Sequence, residues 1–73
     1  MASATENVYT VHIIGALGES IWGAYTDERA AIRAAEKERW SGSIMLDAYV
    51  ERVPLGRSAP SITVWESWES DKR

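Results

Sequence analysis

Any chemistry in this 73-residue chain has to run through very few side chains. His12 is its one histidine, and it has no cysteine. Imidazole is the only side chain whose ordinary titration falls near neutrality, so His12 is the one ready-made acid or base. Nucleophilic catalysis needs such a group in contact with a nucleophile and an orienting partner. Ser20, Ser41, Ser43, Ser58, Ser61, Ser67 and Ser70 lie in loops, at edges or near the end of the chain, with no motif around them. A lone histidine cannot make a two-histidine metal site, and the absence of cysteine removes thiolate sites and disulfides. The stretch G-A-L-G from Gly15 lacks the Lys-Ser/Thr and the helix that a phosphate loop requires. Asp47 and Glu51 are a pair of carboxylates without metal spacing. The reading is therefore non-enzymatic: no catalytic, cofactor-binding or metal-ligating residue is expected.

Charge narrows the partners. Eight Lys and Arg stand against eleven Asp and Glu, a net of −3. Nucleic-acid affinity comes largely from clustered cations that neutralise phosphates, and this balance works against it. No apolar run approaches the roughly 18 residues needed to span a bilayer. The opening M-A-S-A-T-E-N has neither the basic segment nor the apolar core of a signal peptide, so a cytoplasmic location is the expectation.

The elements follow from pattern. V-Y-T-V-H-I-I (Val8 to Ile14) is β-branched and aromatic, stops at Gly15, and reads as a strand. Gly15 to Ser20 reads as a turn, and I-W-G-A-Y (Ile21 to Tyr25) as its antiparallel partner, with Gly23 marking a bulge or a close approach. Thr26 can cap a helix that Asp27 and Glu28 begin, their charges suiting the positive end of its dipole. Ala31, Ala34 and Ala35 fall on one side of that helix, while Arg29, Arg33 and Lys37 line the other. Ile44 to Val53 alternates as a strand ended by Pro54. Ser61 to Trp68 reads as the last strand.

The order β-β-α-β-β predicts an α+β two-layer sandwich: a four-stranded, mainly antiparallel sheet with one helix, about residues 27–40, on one face. Residues 1–6 are expected to be a flexible arm, 7–68 the single domain and 69–73 a flexible tail. Tyr9, Val11, Ile13, Ile21, Leu46, Ala48, Val50, Ile62 and Val64 are expected under the helix. His12, Trp22, Met45, Tyr49, Trp65 and Trp68 are then collected on the uncovered face. Aromatic side chains bury about 150–250 Å² each, so several neighbours exceed the roughly 300–600 Å² of an ordinary monomer's largest apolar patch. That face is the predicted partner-binding surface, for a second copy in a homodimer or for a larger protein. The competing arrangement has a bulge at Gly23 turning Trp22 inward, or a loop or tail folding over the face, since a one-residue slip swaps the faces of a strand.

Two other functions use the same features. Aromatics on an open sheet stack bases in single-strand nucleic-acid binders, although Asp47, Glu51 and Glu66 would repel phosphates here. The acidic, tryptophan-bearing W-E-S-W-E-S-D (Trp65 to Asp71) could act as a phosphate mimic inhibiting a nucleic-acid-binding protein. The succession of V-Y-T-V-H-I-I, I-W-G-A-Y-T, D-E-R-A-A-I-R-A-A-E and D-A-Y-V-E, over residues 8–51, resembles small uncharacterised proteins of bacterial and phage genomes. The likeness rests on Gly23, Tyr25, Thr26, Ala31, Ala34 and Ala35, all structural positions. It implies a shared packing scheme and a phage or mobile-element origin, in which small acidic proteins bind and inhibit or redirect a larger host protein. No site residue carries over from it.

Overall fold

The computed structural model of the chain describes residues 6–56 and 59–72, which leaves most of the expected N-terminal arm and part of the loop before Pro60 outside it. Strands β1 (Asn7–Gly15) and β2 (Gly18–Tyr25) form a hairpin, and helix α1 (Glu28–Glu38) follows. Two-residue strands β3 (Trp40–Ser41) and β4 (Ile44–Met45) come next, then β5 (Asp47–Pro54), β6 (Ile62–Glu66) and the helical turn α2 (Ser67–Ser70). The main sheet has the order β2-β1-β5-β6 with every neighbour antiparallel. With α1 on one face this is the expected α+β two-layer sandwich.

Local chemistry explains the joints. Gly18 closes the tight turn after Ala16 and Leu17 with φ at +123°, where a side chain would be strained. The α1 cap is Asp27, one residue beyond the expected Thr26; its carboxylate accepts from the Ala30 amide at 2.9 Å. A charged oxygen suits the positive end of the helix better than a hydroxyl. Ala31 and Ala35 are fully buried, which lets the helix axis lie close to Val11, Ile13, Ala48 and Val50. Tyr9, Ile32, Ala34, Leu46, Val64 and Trp65 complete the core.

Two boundaries in the second half of the chain differ from the pattern reading. Ile44 to Val53 is not one strand, because Ile44 and Met45 pair back onto Trp40 and Ser41 as a separate hairpin. The Leu46 amide then donates to the Arg39 carbonyl at 2.7 Å, tying the break to the end of α1. The last strand stops at Glu66, and residues 67–70 turn into α2 instead of continuing to Trp68. The buried Ser67 hydroxyl accepts from the Ala48 amide at 3.0 Å and so holds α2 against β5.

Two bulges redistribute the side chains. Val11 faces Gly23 and His12 faces Ile21, which leaves Trp22 as an extra residue in β2. Val50 faces Trp65 and Glu51 faces Thr63, which leaves Val64 as an extra residue in β6. An extra residue shifts the alternation by one and exchanges faces beyond it. Ile21, expected under the helix, therefore shares the open face with His12 and is 66% exposed. Trp65, expected on the open face, lies opposite Val50 and packs against the core. Ile62, also expected in the core, is exposed.

Candidate functional site

The open face retains three of the six expected contact residues. His12 on β1 and Tyr49 on β5 are cross-strand partners whose rings stack with centroids 4.4 Å apart and planes 3° from parallel. Trp68, brought back by α2, meets Tyr49 edge-on at 6.4 Å. The chain's own C-terminal turn thus shields part of this face. Trp22 is elsewhere: its indole N–H donates to Ser20 at 2.9 Å, and Ser20 lies opposite Ile13, on the helix side. Met45 sits in the small hairpin opposite Trp40, and Trp65 belongs to the core.

His12 is buried, 6% exposed, although its strand position points away from the helix. Tyr49 covers it on one side, and polar groups ring its edge. Its Nε2 is 2.8 Å from the Thr10 hydroxyl and 3.6 Å from Glu51, and its Nδ1 is 3.4 Å from Glu19 without a hydrogen bond. The Tyr49 hydroxyl donates to that same Glu19 carboxylate. Burial first, then this hydrogen bond and the negative charge of Glu19 and Glu51, push the Tyr49 phenol up to about 12. A phenol so held does not act as a base near neutrality. The arrangement orders a cross-strand network and gives Glu19 partners on its own sheet. Among the described residues, no group of three or more His, Asp or Glu is placed to hold a metal ion.

A second feature had no signal in local pattern. Arg39 follows α1 and is 6% exposed. Its Nε donates to the Leu46 carbonyl at 2.8 Å, and its two terminal nitrogens grip Asp71 at 3.1 and 2.9 Å. Asp47 lies 3.9 Å away. One guanidinium therefore joins the end of α1, the break before β5 and the residue after α2. The hydrogen bonds that Arg39 donates to Asp71 hold the Arg39 charge more firmly than usual, and Arg39 in turn holds the Asp71 carboxyl below its ordinary range.

The third feature is a pair of charge-poor stretches. The thirteen residues from Ile13 to Tyr25 carry one charged side chain, Glu19, and the seven from Trp40 to Leu46 carry none. Topology brings the two stretches together. A side chain at Gly15 would touch Leu46 at 4.0 Å, and Leu17, Trp22 and Leu46 border one shallow cavity of about 290 Å³ with Ile13. Glu19 is turned to the open face, where Tyr49 holds it. Leu17, Trp22, Trp40, Ile44 and Met45 of these stretches are exposed, Trp40 and Met45 paired on one face of the small hairpin and Ile44 on the other, with exposed Lys37, Glu38 and Asp47 at the border. The sequence shows the charge gap directly, but the aromatic alternation drew attention to the other face.

No protein-family model matches the chain, and no curated protein or solved structure matches it either. Among the described residues no helix is long and apolar enough to cross a membrane.

Proposed function

We propose that the chain is a small protein-interaction module with no chemistry of its own, and that it docks through the end of the sandwich that carries the β1–β2 turn and the β3–β4 hairpin. The observation that carries this reading is the exposure of Leu17, Trp22, Trp40, Ile44 and Met45 in two stretches whose one charged side chain is Glu19. Apolar side chains gain about 25 cal/mol for each Å² taken out of water, so a partner that covers this zone is rewarded across its whole area. The helix-free face of the sheet is the weaker candidate. It has lost Trp22 and Trp65, Trp68 shields part of it, and Glu19, Glu51 and Glu66 lie along it. Those carboxylates also oppose a single-stranded nucleic acid, whose phosphates need cations. The resemblance to small phage and bacterial proteins makes a larger host protein one partner of the expected kind.

A photo-crosslinking residue placed at position 17 or 44, and separately at 51 or 62, tests this in cells that make the protein. Protein adducts are expected from positions 17 and 44. Adducts confined to positions 51 and 62 would overturn the reading.

A further inference from the structure

We infer that the free edge of β6 is a second binding site, and that its ligand is a short extended segment of another protein, carrying a lysine or arginine, which adds to the sheet as a further strand. The site is separate from the end that carries the β1–β2 turn and stands or falls independently of it. Two features mark it.

The first is a cleft along the edge. β6 is an outer strand of the sheet, and among the described residues no backbone group pairs with its outer side. A cleft of about 340 Å³ is lined by Thr63, Val64, Trp65 and Glu66 of this strand, with Glu69 and Ser70 of α2. Thr63 lies opposite Glu51, on the helix-free face, and Trp65 opposite Val50, on the helix side. Residues of a strand point to its two faces in turn, so a cleft shared by residues of both faces runs along the edge. Val64 and Trp65 pack against the core, and what they lend the cleft is mainly backbone. The bulge also leaves Val64 without a residue opposite it in β5, which takes its backbone out of the regular ladder. A sheet edge with unpaired N–H and C=O groups is a template for one more strand, and extended peptides bind such edges through main-chain hydrogen bonds. The volume is at the small end of the roughly 300–1,000 Å³ of small-molecule sites, which suits a residue or two of peptide better than a cofactor.

The second is charge. Edge strands are commonly blocked by a lysine or a proline within them, and Ile62–Glu66 has neither. The ionisable side chains that line the cleft are Glu66 and Glu69, both acidic. Glu66 occupies the cap position of α2 yet makes no cap hydrogen bond, so the helix does not hold its carboxylate. Glu69 meets Lys72 at 3.3 Å, an exposed pair three residues apart of the kind that binds weakly. Two carboxylates beside an unpaired edge select a strand with a basic side chain over an acidic or wholly apolar one. β6 of a second copy brings no such cation, since I-T-V-W-E has Glu66 as its one charged residue.

The probe is an acetylated, amidated pentapeptide, Thr-Lys-Val-Lys-Thr, titrated into the nitrogen-15-labelled full chain, with glutamates in place of the lysines as the control. The expected result is millimolar or tighter binding of the basic peptide, with amide shifts confined to residues 63–66, 69 and 70, and no binding of the acidic one. Two further peptides carry N-methyl groups on alternate amides, in one phase or the other. A strand in an antiparallel ladder turns every second N–H to its neighbour, so one phase is expected to weaken binding about tenfold or more and the other to leave it unchanged. These arms leave the protein unaltered, so no failure to fold can obscure them. Glu66→Gln with Glu69→Gln is expected to weaken binding about tenfold, the scale of two partly exposed ion pairs. No shift at millimolar peptide, shifts centred on Glu19 and Glu51, equal binding of the acidic peptide, or indifference to the phase of methylation overturns the edge site. None of these outcomes alters crosslinking from positions 17 and 44, which tests the other end.

Discussion

Trp65→Ala is expected to destabilise the fold by about 2–4 kcal/mol, below the full cost of emptying a buried tryptophan site because the ring is only partly enclosed. The bulge at Val64 sets Trp65 opposite Val50 on the helix side, where it packs against the core. Removing it takes apolar contact from one edge of a small core and leaves a gap that the five-residue strand β6 can close only by shifting. A domain of this size typically holds only about 3–5 kcal/mol, so the thermal transition should move far down or vanish. The effect separates the two faces. Loss of stability with unchanged association per folded molecule fits a core residue. Loss of association with an unchanged transition would place Trp65 at the surface, as plain alternation along the strand reads it.

Arg39→Ala is the second large effect, expected at about 2–3 kcal/mol from the loss of hydrogen bonds to a charged donor. The guanidinium is nearly buried, and its donors go to the Leu46 carbonyl and both Asp71 oxygens. Without it Asp71 loses its grip on α1, and the turn before β5 loses a side-chain tie. Chemical denaturation is the measurement, and Arg39→Lys should recover little of the loss, since an ammonium lacks the planar fork that binds a carboxylate with two parallel bonds. The pH dependence has a definite sign. The Asp71 carboxyl is depressed in the folded chain, so its share of stability is present above the ordinary carboxyl range and is lost as pH falls through the lowered value. Arg39→Ala should therefore flatten the acid limb of the stability curve. An unchanged limb would show that the Arg39–Asp71 pair does not persist in solution.

What could be read from sequence divides along physical lines. The β1–β2 hairpin and α1 are written in local composition: β-branched runs, a glycine turn, an acidic first turn and alanines at helical spacing. The class of fold followed from their order. Gly23 also announced irregularity in β2, and the bulge is there, with Trp22 as the extra residue. A side chain at Gly23 would crowd the Tyr25 ring at 3.1 Å, so the glycine makes room for that ring. Nothing comparable marks Val64, and a bulge in an otherwise regular S-I-T-V-W-E leaves no trace in alternation. That is why Trp65 was expected on the wrong face. Arg39 was out of reach for another reason: its partner Asp71 is 32 positions away, and a basic residue near a helix C-terminus is ordinary. His12, Tyr49 and Trp68 do come together, but as a shielded cross-strand cluster instead of an open stacking platform.

The same lesson moves the contact surface. Alternation asks which way a side chain points and is vulnerable to one inserted residue. The charge gap over residues 13–25 and 40–46 needs only that the two stretches meet, which the hairpin turn, the end of α1 and the break at Leu46 bring about. It survives both bulges.

Amide hydrogen exchange on the protein alone and in the complexes that crosslink from position 17 or 44 reads the contact surface residue by residue. The expected result is slowed exchange over residues 15–22 and 40–46, with β6 and the Glu51 region unchanged. Protection centred on His12, Tyr49 and Thr63, or none over residues 15–22 and 40–46, would contradict the end that carries the β1–β2 turn and the β3–β4 hairpin as the surface through which this protein works.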